Sequence, residues 1–481
     1  MEAGGRVLSV ASEAVPLIKT GGLADVAGAL PAALKGQGWE MRVMLPAYPG
    51  LAARLGQNAE EIWSAQDLFG GPARVLKGGV DGVTFLLLDA AQLYDRKGGP
   101  YSADGKDYPD NPERFAALCW VAAEIARGGG ADGWAPGILH AHDWQAGLAP
   151  AYLRYGPATT VKTVLTIHNI AFQGIAPAQK LGLLRLPAWA FSAEHLEYYG
   201  SLSTLKAGLV TADAITTVSP TYAEELMRPE FGMGLEGVIA ARAEDLHGIL
   251  NGVDETLWSP ESDPKISAYS AKVLKPKAEN RSRLATEFDL APADGPLAIV
   301  VSRLTDQKGI DLLAAILPEF IEAGGSLAIL GAGDAALERA MRAAAERWPG
   351  RVGVHIGYDE ALAHRMFGGG DAVLVPSRFE PCGLTQMYGL RYGTIPVVAA
   401  TGGLNDTVIG ATPASLSARA ATGITFHPVD RTGFAGAMRR LSQLYADRTG
   451  WTALVKRAMK AEVGWDAPAA RYAALYRSLT R

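Results

Sequence analysis

Leu297-Ala298-Ile299-Val300-Val301-Ser302-Arg303-Leu304-Thr305-Asp306-Gln307-Lys308-Gly309 runs five apolar residues into a turn with two cations, then into a glycine that opens a helix-like pattern. A short apolar run bounded by turn residues predicts a strand buried on both faces, which belongs to a parallel sheet covered by crossover helices. The same order recurs on either side. Apolar runs at 6–9, 41–45, 85–88, 138–140 and 163–167 fill the first half, and 327–330, 352–356, 372–375 and 395–398 complete the second. Most are followed by a Gly/Pro-rich turn and a helical stretch, so the reading is α/β with two doubly wound parallel sheets.

A chain of 481 residues, 48% hydrophobic, exceeds what one core sustains and implies two domains of about 240 residues. The apolar run 246–250 ends in Asn251-Gly252, a strong turn signal, and a polar, Pro-bearing stretch follows at 255–264. The expected domains are therefore 1–248 and 249–461. Residues 462–481, with Trp465, Tyr472 and Tyr476, read as an amphipathic helix expected to pack back on the first domain.

The net charge of −5 and scattered Lys and Arg leave no footprint for nucleic acid or an anionic membrane. Two cysteines, Cys119 and Cys382, are too few for a disulfide framework. The apolar stretch 7–10 is too short for a signal segment, and no run reaches the roughly 18 apolar residues of a membrane span. The expectation is a soluble, cytoplasmic protein.

In open parallel sheets ligands bind beyond the carboxyl ends of the strands, and with two sheets the expected site is the cleft between them. Arg303 and Lys308 leave such an end just ahead of a helix. A guanidinium can grip two phosphate oxygens while an ammonium neutralises charge on a departing phosphate. The alternative is a solvated helix start with a surface ion pair. Lys19-Thr20-Gly21-Gly22-Leu23 has the same design near the start of the chain, with Gly21 and Gly22 freeing backbone N–H groups for an anion. Phe379-Glu380-Pro381-Cys382-Gly383-Leu384-Thr385 follows the run 372–375. Glu380 could orient sugar hydroxyls or only cap a helix, while the N–H groups of Gly383, Leu384 and Thr385 face phosphate. A sugar nucleotide suits this set.

His140-Ala141-His142-Asp143-Trp144 and Thr166-Ile167-His168-Asn169 end strands of the first half. His140 and His142 share a strand face, but no third ligand at metal spacing accompanies them. Asp143 and His168 read as hydrogen-bonding groups for a polar substrate, and His140 as a satisfied core side chain. No Asp-x-Asp occurs in the chain, so neutralising a diphosphate falls to Arg303, Lys308 and the helix N-termini, without a metal. A competing signal is Gly331-Ala332-Gly333-Asp334-Ala335-Ala336, which formally satisfies the dinucleotide fingerprint and would suggest a nicotinamide oxidoreductase. Asp359 and Glu360 lie beyond the expected distance of roughly 20 residues for its acidic partner, so Gly331 reads as a turn admitting the nucleotide.

These motifs resemble the bacterial glycogen synthases, members of the retaining glycosyltransferase family that also contains the plant starch synthases. The resemblance runs the whole length. It rests on Lys19 to Val26, Gly99-Pro100-Tyr101, His140 to Trp144, His168-Asn169, Asn251-Gly252-Val253-Asp254, Ser302 to Thr305, Gln307-Lys308-Gly309, Pro376 to Gln386 and Thr401-Gly402-Gly403-Leu404. It implies a GT-B type fold, two Rossmann-like domains facing across a cleft. It also implies transfer of glucose from ADP-glucose to an α-1,4-glucan such as glycogen, with no cofactor. By similarity Lys19 joins the donor site, Arg303 and Lys308 hold the diphosphate, and Glu380 is the essential carboxylate. Asp143, His168, Tyr101 and Asn251 would line the sugar and acceptor side, and Tyr358 would stack on the base. Three positions depart from the pattern. Tyr388 stands where related enzymes often carry a second glutamate, eight residues after the first, and Asp306 and Asn405 interrupt otherwise matching motifs. The non-enzyme alternative is a catalytically silent glucan-binding protein.

Overall fold

The computed structural model describes residues 5–481. The chain divides into two compact units, Met1–Asn251 with Trp465–Arg481, and Gly252–Gly464.

The second unit is built on the quoted stretch. Leu297–Val301 forms a central strand, flanked on one side by Ser326–Gly331 and Val352–Ile356 and on the other by Ala372–Val375, Ile395–Ala399 and Ile424–Phe426. Every pairing in this sheet is parallel. Strand order reverses between Leu297–Val301 and Ala372–Val375, which makes a crevice at their carboxyl ends. The loops 302–309 and 376–384 leave from those two strands. Leu297, Ile299, Leu330, Val373 and Val398 are buried in one core. Each such side chain contributes roughly 1.5–3 kcal/mol on burial, against about 0–1 kcal/mol for an exposed ion pair, so apolar burial decides the sheet.

The first unit carries a nine-stranded sheet. From edge to edge it runs Leu246–Gly248, Ala214–Thr217, Lys162–Ile167, Ile138–His142, Arg6–Val10, Glu40–Pro46, Val83–Asp89, Ala73–Val80 and Glu60–Ala65. The first seven are parallel, and the order reverses between Arg6–Val10 and Ile138–His142. The last two run antiparallel, so the expected all-parallel sheet is mixed here. The cause is local. Val80 pairs with Val83 around Asp81-Gly82, both at positive φ (48° and 79°), which is the two-residue hairpin that Asp-Gly favours. A hairpin of that length forces antiparallel neighbours.

The helix Asp466–Leu479 belongs to this unit. Its Tyr472, Ala473 and Tyr476 pack with Val7, Leu30, Trp39 and Ile138, and the Tyr476 hydroxyl lies 2.7 Å from His140 Nδ1. No helix among the described residues is long and apolar enough to cross a membrane.

Candidate active site

In the second unit Lys308 and Glu380 form an ion pair. The carboxylate is buried and also accepts from the Ser377 hydroxyl at 2.9 Å. Gln307 and Arg378 lace the two loops together, Gln307 Nε2 donating to Phe379 O at 3.3 Å and the Arg378 amide to Gln307 O at 2.9 Å. Gly309 caps the helix Ile310–Glu322 at φ 69°, and a Cβ there would lie 2.1 Å from Pro376 O. Glycine thus lets the 302–309 turn sit against the strand end that carries Glu380. Arg303 is exposed, with a long 3.4 Å contact from Nη2 to Gln307 Oε1. The crevice therefore holds one cation already paired with a carboxylate and another facing solvent.

The segment Cys382-Gly383-Leu384-Thr385 leads into the helix Thr385–Tyr392. Gln386 Nε2 donates to the carbonyls of Cys382 (2.9 Å) and Gly383 (3.0 Å), which pins this turn. Gly403 backs it, since a Cβ there would meet Cys382 O at 2.3 Å, and its amide donates to Glu380 O at 3.1 Å. Tyr388 stacks on Trp258 with ring centroids 3.8 Å apart, packed against the core. The position where related enzymes often carry a second glutamate is thus a packing position in this chain. Tyr358 follows the strand Val352–Ile356 with its ring 79% exposed, and its hydroxyl donates to Glu360 Oε2 at 2.9 Å.

The glycines of the competing dinucleotide signal have another explanation. A Cβ at Gly331 would sit 1.9 Å from Ser302 O, and one at Gly333 2.4 Å from Leu304 O. Both admit the neighbouring turn of this chain. The following helix Ala335–Arg347 is already capped, Asp334 accepting from the amides of Ala336 and Leu337 at 2.8 and 3.2 Å. An N-terminus filled by its own carboxylate is a poor pyrophosphate site.

In the first unit the loop after Arg6–Val10 corrects one expectation. The Gly21 amide, expected to face an anion, donates to Glu13 at 3.3 Å, and the Thr20 amide and hydroxyl donate to the same carboxylate. The Tyr101 hydroxyl donates to it at 3.2 Å and also lies 2.7 Å from Ser12 Oγ. Burial raises the Glu13 pKa, and its hydrogen bonds to Thr20, Gly21 and Tyr101 counter only part of that. Gly22 opens the helix Gly22–Lys35, and Lys19 Nζ pairs with Asp25 at 2.8 Å on the surface. Glu13 was missed in the sequence reading, although a carboxylate between an apolar strand and a Gly-Gly turn was the available signal.

Asp143 starts a helix at φ 54°, a left-handed conformation that Asp tolerates and that marks strained sites. Its Oδ1 accepts from the amides of His168 (2.6 Å) and Asn169 (3.3 Å), tying together the ends of Ile138–His142 and Lys162–Ile167. Burial pushes its pKa up to about 7 against the pull of those amides, with the charge of Glu13 adding a little. His140 is a core side chain, its Nδ1 meeting Tyr476 and its Nε2 2.6 Å from Thr166 Oγ1. Arg114, fully buried, donates to the carbonyls of Leu93 and Pro100 and holds the loop that carries Tyr101. No local pattern in the sequence marked it, since the carbonyls of Leu93 and Pro100 stand 21 and 14 residues before it. Asn251 is buried at the end of the unit, its Oδ1 without a hydrogen-bond partner among the described residues. Lys19, Tyr101, Asp143 and His168 thus belong to one unit, and Arg303, Lys308, Glu380 and Tyr358 to the other.

Residues 6–241 match the family model described as starch synthase catalytic domain, and 295–443 the one described as glycosyl transferases group 1. The glycogen synthase of Cereibacter sphaeroides is 65% identical over 475 residues, covering 99% of this chain and 98% of its own. That of Paracoccus denitrificans is 56% identical over 477 residues, covering 98% and 99%. Among solved structures, the catalytic domain of starch synthase IV from Arabidopsis thaliana, bound to ADP and acarbose, superposes with a TM-score of 0.88 at 30% identity, covering 99% of this chain and all of that one. A sucrose-phosphate synthase from Thermosynechococcus elongatus, 19% identical with a TM-score of 0.61 over 99% of each chain, shares the fold.

Proposed function

The chain belongs to the family of glycogen and starch synthases, and from that premise we propose that it moves glucose from ADP-glucose to the non-reducing end of an α-1,4-glucan with retention of configuration. The observation that carries the reading is the Lys308–Glu380 pair at the second unit's crevice, with Lys308 on the same loop as the exposed Arg303. Arg303, Lys308 and the amides of Gly383, Leu384 and Thr385 neutralise the departing diphosphate, which lets bond breaking run ahead of attack. The acceptor then enters on the face the diphosphate leaves. A covalent intermediate would need a second carboxylate across the sugar, and the packing of Tyr388 against Trp258 supports its absence. Within the second unit Cys382 serves the donor and Tyr358 offers an exposed ring to the base; within the first, Lys19 and Gly22 offer groups for the donor, and Asp143, His168, Tyr101 and Asn251 serve the sugar and acceptor side. The ADP and acarbose bound by starch synthase IV support an adenine donor and a glucan acceptor. The absence of Asp-x-Asp from the sequence supports chemistry without a metal.

The test is release of nucleotide diphosphate from ADP-glucose and UDP-glucose, with and without glycogen, in EDTA. Glycogen-dependent ADP release is expected, and release from UDP-glucose alone would overturn the donor. Arg303→Ala and Lys308→Ala should each lower turnover roughly a hundredfold or more, and turnover within threefold of wild type in a folded variant would refute the role given to these cations.

A further inference from the structure

Ser9 lies in the central strand of the first unit and is fully buried, with its Oγ 3.1 Å from Nε2 of His142. The other nitrogen of that ring, Nδ1, is 2.9 Å from Nε2 of His168. His142 is also fully buried, whereas the His168 ring is half-buried, so the line runs from the core to the open end of the sheet. His168 Nδ1 takes no protein partner among the described residues.

Polarity along this line follows from counting protons. A buried hydroxyl costs free energy unless its proton is donated, and His142 Nε2 is the acceptor within reach of Ser9. Burial pushes the His142 pKa down to about 3 and holds His168 well below the ordinary histidine value, so each ring carries a single proton. With Nε2 of His142 accepting from Ser9, its proton stands on Nδ1 and is donated to His168 Nε2. The proton of His168 is then left on Nδ1.

We propose that Ser9 and His142 are positioning residues that lock His168 in the Nδ1–H tautomer, so that it presents an N–H donor to an oxygen of the transferred glucosyl unit. The tautomer stands on the hydrogen-bond geometry, and the glucosyl oxygen rests on the function proposed above. An outer partner of this kind sets both the orientation and the protonated nitrogen of a working histidine.

The full chain labelled with 15N-histidine, with His168→Gln to identify its signals, reports the tautomer directly by NMR. A protonated Nδ1 and a bare Nε2 on His168 are expected, and a proton on Nε2 would overturn the proposal without any variant having to fold. Ser9→Ala should turn His168 into a mixture of tautomers and lower turnover about tenfold, with donor KM changed less than about twofold. His142→Asn keeps an N–H near the former Nδ1 and should recover most of the turnover that His142→Leu loses. Equal loss in those two variants, or an unchanged tautomer in Ser9→Ala, would sink the relay. If the wild-type chain releases no nucleotide diphosphate while His168 shows the Nδ1 proton, the glucosyl reading falls and the tautomer assignment remains.

Discussion

At the scale of single residues, buried acids set the character of the first unit's site. Glu13 fills the amide nest of the Lys19 loop with its own carboxylate, so it orders the loop before any ligand arrives. Glu13→Gln can keep a carbonyl on the Thr20 and Gly21 amides only by setting its NH2 against the Thr20 and Tyr101 hydroxyls, which now donate to the other carboxylate oxygen. Donor KM should rise about tenfold, the equivalent of roughly 1.4 kcal/mol, with a smaller change in kcat, and initial-rate kinetics would show it. A KM within twofold of wild type would mean the loop holds its shape without Glu13. Asp143 offers a pH test. Its pKa rises from 3.8 to about 7 on folding, so between those values the folded chain holds a proton that the unfolded chain has released. Stability from this group is therefore lost as pH climbs through that window. Asp143→Asn removes the titration, and its melting temperature relative to wild type should increase from pH 4 to pH 7 and then level off. A constant difference across that range would contradict the buried, proton-retaining carboxyl.

At the scale of elements, the second unit's site depends on loops that touch backbone to backbone. Gly403 backs the Glu380–Cys382 turn closely enough that a methyl group would collide with Cys382 O, Cα and C. Gly403→Ala must push that turn, and Glu380 with it, by a fraction of an ångström or more. Misplacement on this scale costs about a hundredfold in a positioned reaction, so turnover should fall by at least tenfold while circular dichroism stays unchanged. Wild-type turnover in this variant would show that the turn relaxes without moving the carboxylate. Strands such as Leu297–Val301 and Ala372–Val375 were legible because five or so apolar residues between turns have few other fates in water. The antiparallel strands Ala73–Val80 and Glu60–Ala65 were not read, because their solvated edge residues carry a weak hydrophobic pattern; the available signal was Asp81-Gly82, the turn that pairs Ala73–Val80 with Val83–Asp89.

At the scale of the whole molecule, the last helix completes the first unit from the far end of the chain. A chain ending at Gly464 leaves Val7, Leu30, Trp39 and Ile138 without Tyr472 and Tyr476. Its first unit should lose cooperative unfolding and be digested by protease before 252–464 is, as limited proteolysis with mass spectrometry would reveal. Equal resistance of the two units would show that the helix is dispensable. The sequence by itself determined the α/β class, the family, and the loops bearing Lys19, Arg303, Lys308 and Glu380, because strand, turn and helix follow one another within a few residues and their chemistry is local. Tertiary structure alone decided that Glu13 occupies the Thr20 and Gly21 amides, that Arg114 braces the Tyr101 loop, and that Ser9 reaches His168 through His142. Those partners stand 7 to 133 residues apart, and their hydrogen bonds exist only once folding has turned the loops back on themselves and, for Ser9 and His142, paired their strands side by side.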